Sequence, residues 1–222
     1  MKKLFTQLRK AFTLAEVLIT LVIIGVVAAL VISPLVNTYV ESSTVSKVKK
    51  GLSIIGQAKK LAEAQNGSIV GWDYPEGASE EATDKLWEYL KPHIAVTKDC
   101  GSSQDCYQSD GIHYLNGGVY DYNYNTKANY HKLILADGSV MMFSTQLGKC
   151  SSQGHPVPDV CAVWVYDVNG IRSPNTLGKD IFVYLMNIDG VYPHTGNDCS
   201  KGSSGFGCSS YIVKNSNMKY LH

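Results

Sequence analysis

Residues 10–32 read KAFTLAEVLITLVIIGVVAALVI, and the nineteen from Leu14 to Ile32 carry one charge, Glu16. A helix rises about 1.5 Å per residue and the hydrocarbon core of a bilayer is about 30 Å thick, so about 20 apolar residues suffice to span it. Lys2, Lys3, Arg9 and Lys10 precede the run with no acid among them, and such a basic flank stays cytoplasmic. A cleaved signal peptide is the plain alternative, but its apolar core is roughly 7–15 residues and ends in a small-residue cleavage site. Here the best exit, LVIS at 30–33, is followed by Pro34. The run therefore reads as a retained anchor. Glu16 is then the anomaly, because a carboxylate at bilayer depth persists only with a partner or a function, unless it reaches back to the headgroups.

The rest of the chain narrows the partners. Of 222 residues, twenty are Lys or Arg and nineteen Asp or Glu. Beyond residue 11 the remaining sixteen bases face all nineteen acids, a balance of −3. A weakly acidic domain lacks the clustered positive charge that nucleic acid requires. Protein contacts and, for the anchor, membrane lipid are the expected partners.

The anchor and its flanks resemble the N-terminal signature of type IV pilins and of the pseudopilins of type II secretion. In that family a basic leader is cut after a small residue by a prepilin peptidase, the new N-terminal residue is usually phenylalanine, and a glutamate follows four places later. The resemblance implies a leader over residues 1–11, cleavage between Ala11 and Phe12, N-methylation of Phe12, and an assembly role for Glu16. Gly25, Ala28 and Ala29 also sit where the family has small residues. Ala11 stands where glycine is commoner, and Pro34 lies one residue later than the usual proline. In the filament such a resemblance implies, Glu16 pairs with the Phe12 ammonium of a neighbouring subunit. The implied fold is a long N-terminal helix laid on an antiparallel sheet.

The residues point the same way. Val45, Val48, Leu52, Ile55 and Ala62 recur at helical spacing, Lys47, Lys49, Lys50, Lys59, Lys60 and Glu63 fall largely elsewhere, and Asn66-Gly67 supplies a stop. One helix, bent or broken near Pro34, is expected to about residue 65. Residues 12–34 form its membrane-spanning assembly part, 35–66 an amphipathic continuation, and 67–222 a β-rich domain. The stretch 66–80, rich in glycine, serine and acids, is the candidate joint. EEATDKLWEYLKPH at 80–93 reads as a short helix capped by Ser79. Four apolar segments then carry Asn116-Gly117, Asp137-Gly138, Asn169-Gly170 and Asp189-Gly190, each suited to a tight reversal, which predicts an antiparallel meander. CAVWVYDV at 161–168 is apolar enough for a central strand covered on both faces. The fold class is α+β.

All six cysteines follow the anchor, as in an exported domain with disulfides. Six cysteines allow 15 pairings, and short separations favour Cys100–Cys106, Cys150–Cys161 and Cys199–Cys208. The last corresponds to the C-terminal loop that many pilins close. No Cys-x-x-Cys is present, which removes the simplest zinc pattern.

Chemistry is sparse. Gly-x-Ser-x-Gly, His-Glu-x-x-His and P-loop patterns are missing, and His93, His113, His131, His155, His194 and His222 are scattered loop or surface candidates. Asp99, Asp105 and Asp110 cluster near two cysteines, as solvated loops do. The chain reads as a non-enzyme. Within YDVNGIRSPNTLGKD, Asp167, Asn169, Asn175 and Asp180 offer oxygens at loop spacing, and some major pseudopilins bind calcium in a comparable loop. The plainer reading is a turn at Asn169-Gly170 with polar caps around it.

The resemblance and the pattern together predict a pilin or pseudopilin, held in the bacterial inner membrane with its N-terminus cytoplasmic and its domain periplasmic or extracellular. Its partners are then other such subunits, the prepilin peptidase and an inner-membrane assembly platform. The alternative is a tethered binding module, using the tyrosines of VYDYNYNTKANY at 119–130 as its contact surface. Alternating tyrosines also serve as ordinary sheet packing.

Overall fold

The longest element is α1, an α-helix over Leu14–Asn66, 53 residues with Pro34 inside it. The computed structural model describes residues 13–107, 111–146, 149–150, 155–196 and 199–222. The chain divides into two compact units, Met1–Glu41 and Ser42–His222. Pro34 does not break α1. Proline removes one backbone donor, and the helix runs on past it, with the Thr38 hydroxyl donating to the Pro34 carbonyl at 3.0 Å. The stop falls at the predicted place: Gly67 has φ +77° and its N–H donates to Glu63 O at 2.9 Å, a left-handed C-terminal cap.

Within Ser42–His222, α1 buries one stripe. Val45, Val48, Ile55, Ala58 and Ala62 join the core, one helical face at spacings of three, four and seven. Lys59 departs from the expected polar face. It is 1% exposed, paired with Glu63 at 2.7 Å and donating to Ile188 O at 3.0 Å. Its apolar stem fills core space while both charges are satisfied. Residues 67–79 are no loose joint either, since Ile69, Trp72 and Tyr74 are buried in the same core.

Among the described residues eight strands follow: β1 Lys98–Gly101, β2 Ile112–His113, β3 Val119–Tyr120, β4 His131–Ile134, β5 Val140–Thr145, β6 Val160–Asp167, β7 Ile181–Asn187 and β8 Val191–Pro193. Six form one antiparallel sheet in the order β1-β4-β5-β6-β7-β8, and β2 with β3 forms a separate ribbon. The segment at 112–120 therefore leaves the predicted meander. Every residue of β5, β6 and β7 is buried, because both faces are covered.

Successive side chains of a strand point to opposite faces, and the two cores divide accordingly. Met141, Phe143, Trp164, Tyr166, Phe182, Tyr184 and Met186 belong to the core that holds the α1 stripe. Val140, Met142, Val163, Val165, Ile181, Val183 and Leu185 belong to the other, under Tyr107, Ile112, Tyr124 and Tyr130. The apolar run in β6 is thus a strand with a helix layer on one side and a loop layer on the other.

The helix α2, Glu80–Leu90, is capped as predicted, Ser79 Oγ accepting from Ala82 N at 3.1 Å. A third helix, α3 over Cys208–Asn215, is one the sequence reading does not anticipate. Of the four turn signals, Asp137-Gly138 closes the β4–β5 hairpin with Gly138 at φ +78°. Asn169-Gly170 instead opens the long connection 168–180 between β6 and β7. Between β7 and β8 the turn rests on Asn187, whose Oδ1 accepts from Asp189 N and Gly190 N, both at 2.9 Å. That side chain replaces the positive φ expected at Gly190. The disulfides are Cys100–Cys106, Cys150–Cys161 and Cys199–Cys208.

Candidate functional site

Two regions carry the residues singled out by the sequence. The first is the start of α1. Ala11, Phe12 and the leader 1–11 lie outside the described residues. Glu16 and Thr13 form a reciprocal cap: Thr13 N and Thr13 Oγ1 donate to Glu16 Oε2 at 2.9 and 2.8 Å, and Glu16 N donates to Thr13 Oγ1 at 3.2 Å. Thr-x-x-Glu is the capping-box spacing, a signal that the sequence reading passes over. Thirteen large apolar side chains from Leu14 to Ile32 are exposed, and the most apolar window of α1 has a mean hydropathy of 2.8. Covering such side chains yields about 1.5–3 kcal/mol each, so this surface demands lipid or neighbouring helices around it. By length and composition α1 can cross a membrane.

The second region is the connection 168–180. Asp167 ends β6 opposite Ile181, which starts β7, so Asp167 and Asp180 meet at one end of the sheet. Gly170, at φ +71°, passes so close to the Gly138 backbone that any Cβ collides with Gly138 O. Asp167 Oδ1 accepts from Asn169 N at 3.1 Å, and Asp167 Oδ2 accepts from the Tyr107 hydroxyl at 2.9 Å. Asp180 accepts from Asn169 Nδ2 at 3.1 Å and from Thr176 N at 2.7 Å. Asp167, Asn169 and Asp180 are therefore one network, and Asn175 adjoins it through its neighbour Thr176.

Burial, reinforced by the Asp180 charge, pushes the Asp167 carboxyl up to about 8; burial likewise pushes Asp180 up to about 7. Asn169 Oδ1 and Asn175 Oδ1 are buried and accept no hydrogen bond among the described residues. An unpaired buried acceptor costs about 1–3 kcal/mol, so two in one loop invite a hard cation. No cluster of three or more His, Cys, Asp or Glu side chains suited to a metal occurs among the described residues. The donor set is two carboxylates and two amide oxygens, which fits the all-oxygen chemistry of calcium and no softer metal.

Sequence reasoning missed one charged cluster. His131, on β4, is buried rather than a loop or surface residue, with Nδ1 2.6 Å from Asp84 and Nε2 2.7 Å from Asp99. Asp99 also accepts from Trp87 Nε1 at 2.7 Å, and these bonds hold its carboxyl below the usual range although burial works against them. The cluster ties α2 and β1 to β4 and engages both ring nitrogens of His131. The Asp105 side chain and Asp110 lie outside the described residues.

Residues 7–32 match the model of the prokaryotic N-terminal methylation motif, the hallmark of type IV pilins and pseudopilins. No curated protein and no solved structure matches the chain. The motif supports a subunit of pilin or pseudopilin type, and with the apolar helix it fits a membrane-anchored one.

Proposed function

We propose that the chain is a structural subunit that polymerises through α1 into a type IV pilus-like or type II secretion pseudopilus filament. The observation that carries this reading is the coincidence, in one segment, of the methylation motif with an apolar helix surface left exposed from Leu14 to Ile32. In the membrane precursor, lipid covers that surface and the Lys2–Lys10 cluster keeps the N-terminus cytoplasmic, with the Ser42–His222 unit on the periplasmic side. A prepilin peptidase cuts between Ala11 and Phe12, and the new Phe12 amine is methylated without losing its charge. Extraction by an assembly platform exchanges lipid for other subunits' helices. Glu16 then leaves its Thr13 cap for the Phe12 ammonium of the adjacent subunit and sets the step between neighbours. The role is architectural rather than enzymatic.

In the same reading, the 168–180 loop holds a calcium ion through Asp167, Asn169, Asn175 and Asp180. When bound, the ion supplies positive charge to a buried acidic pair and a partner to two amide oxygens. Tyr107 and the Asn169 and Thr176 N–H groups hold the carboxylates in place around it.

The deciding measurement is the N-terminal mass of the mature protein in its native host, with and without the prepilin peptidase. A chain that begins at methylated Phe12, and only when the peptidase is present, supports the proposal. An intact leader in both strains rejects it.

A further inference from the structure

On the sheet face away from the Ser42–Asn66 half of α1, the outer layer forms a half-open cavity of about 320 Å³, within the usual range of small-molecule sites, about 300–1,000 Å³. Val163 of β6 and Val183 of β7 line it from the sheet, Tyr120 from the end of β3, and Tyr122 and Phe206 from the loops. The rings brace one another: Tyr120 is 6.1 Å from Tyr122 and 5.6 Å from Phe206, and Tyr122 is 5.2 Å from Tyr124, between centroids. Tyr124 and Tyr130 are buried and serve as packing. Tyr120 and Tyr122 are half-buried, which leaves ring surface for a ligand on a preorganised support.

The polar groups of the cavity are neutral and complementary. Gln146 Oε1 can only accept, so His155 Nε2, 2.8 Å away, carries a proton and leaves Nδ1 as an acceptor. Gly196 N–H donates to His194 Nδ1 at 2.9 Å, which places the His194 proton on Nε2 as a donor. Burial holds both imidazoles below their usual range, His194 down to about 4, so both stay uncharged at neutral pH. Asn129 and Gln146 also line the cavity, their amide nitrogens donating to Ser144 Oγ at 2.9 Å and Thr145 O at 3.1 Å.

This lining discriminates among ligand classes. Among the described residues its lining holds no carboxylate for a cation. The Lys127 ammonium already sits 5.1 Å from the Tyr122 centroid, so a quaternary ammonium meets a like charge there. An acyl chain offers nothing to His155 Nδ1 or His194 Nε2, which costs about 1–3 kcal/mol for each one desolvated. A ring with an apolar face and an edge of hydroxyls satisfies both the tyrosines and the donor–acceptor pair.

We propose that this cavity binds a neutral sugar residue, its apolar face against Tyr120 and Tyr122 and its hydroxyls toward His155, His194 and Gln146. The proposal does not depend on filament assembly, and neither does its test. Full-length protein in a polyoxyethylene detergent, which carries neither sugar nor ammonium, is titrated with trimers of β-linked glucose, β-linked N-acetylglucosamine and α-linked glucose, with choline as the charged control. The tyrosine resonances or the melting temperature report binding. At least one trimer binds with a Kd of about 1 mM or tighter, and Tyr122→Ala and His194→Ala each weaken it at least about tenfold at unchanged folding, while Tyr122→Phe keeps it. Absence of binding by all three trimers at about ten times that concentration, tighter binding of choline, or full affinity in both alanine variants overturns the proposal.

Discussion

The Tyr184 hydroxyl, fully buried on β7, donates a 2.7 Å hydrogen bond to the backbone carbonyl of Val48 in the second half of α1. This bond fixes the register of helix over sheet, because it ties one strand position to one helical turn. Tyr184→Phe keeps the ring and removes only the donor. It should lower unfolding stability by about 0.5–1.5 kcal/mol, read by urea denaturation of the full chain in detergent. Unchanged stability would show that apolar packing alone sets the register.

One turn on, Gly51 lies against the Tyr166 ring: an added Cβ would sit 2.8 Å from Tyr166 Cδ1. Tyr166 cannot easily yield, since it is buried and its hydroxyl bonds Ser139 Oγ at 3.2 Å. Gly51→Ala gains about 1 kcal/mol of helix propensity but overpacks the core at about 1–3 kcal/mol, so a net loss is expected. Gly56 in the same helix has nothing within 4 Å of an added Cβ, and Gly56→Ala should stabilise. Melting curves of the two variants must move in opposite directions; a shared direction would remove the close approach as the reason for Gly51.

These contacts mark where the sequence stops being readable. The α1 stripe and the strands were legible because burial of one helical face or of both sheet faces imposes a period of 3.6 residues or an unbroken apolar run. Gly51 and Lys59 were not, since a helical pattern shows which face is apolar but not what stands opposite each turn. The Asn187-supported turn was hidden for the same reason: a side-chain acceptor can replace the backbone conformation that Asp-Gly suggests. Glu16 was legible as a charge inside an anchor, whereas its cap with Thr13 was seen only in the folded chain. Asp167 and Asp180 were legible as a spaced acidic loop, but their burial and the two unpaired amide oxygens belong to the folded packing. His131 has no local signature, because Asp84 and Asp99 reach it from α2 and β1.

The acidic pair sets a pH dependence with a definite sign. Burial raises Asp167 to about 8 and Asp180 to about 7, above the ordinary carboxylate value of about 3.9 that the unfolded chain retains. Through that interval the folded state holds protons the unfolded state has released, so raising the pH favours unfolding. His155 and His194 are held low by burial and act oppositely, but only below about pH 6.5, the unfolded histidine value. Calcium-stripped protein should therefore melt lower at about pH 8.5 than at about pH 6.5. Added calcium should raise the melting temperature at both, and more at the higher pH, where the carboxylates are free of protons. An effect of pH without any effect of calcium would leave a buried acidic pair and no ion site.

Glu16 permits a separation of its two roles. In the single chain its carboxylate accepts from Thr13 N and Thr13 Oγ1, and a glutamine at that position can still close a capping box. A neighbour's Phe12 ammonium, by contrast, is held by charge, and a neutral amide forfeits most of that attraction in a low-dielectric helix bundle. Glu16→Ala removes both functions and Glu16→Gln only the second. Both variants should insert in the membrane, since each deletes a charge that insertion disfavours. Circular dichroism should show full helix content for Glu16→Gln and slight fraying at the start of α1 for Glu16→Ala. Co-expressed with the native chain, both should be depleted from sheared filaments to a similar extent. If Glu16→Gln is incorporated normally while Glu16→Ala is not, the residue acts only as a helix cap, and another group must set the step between subunits.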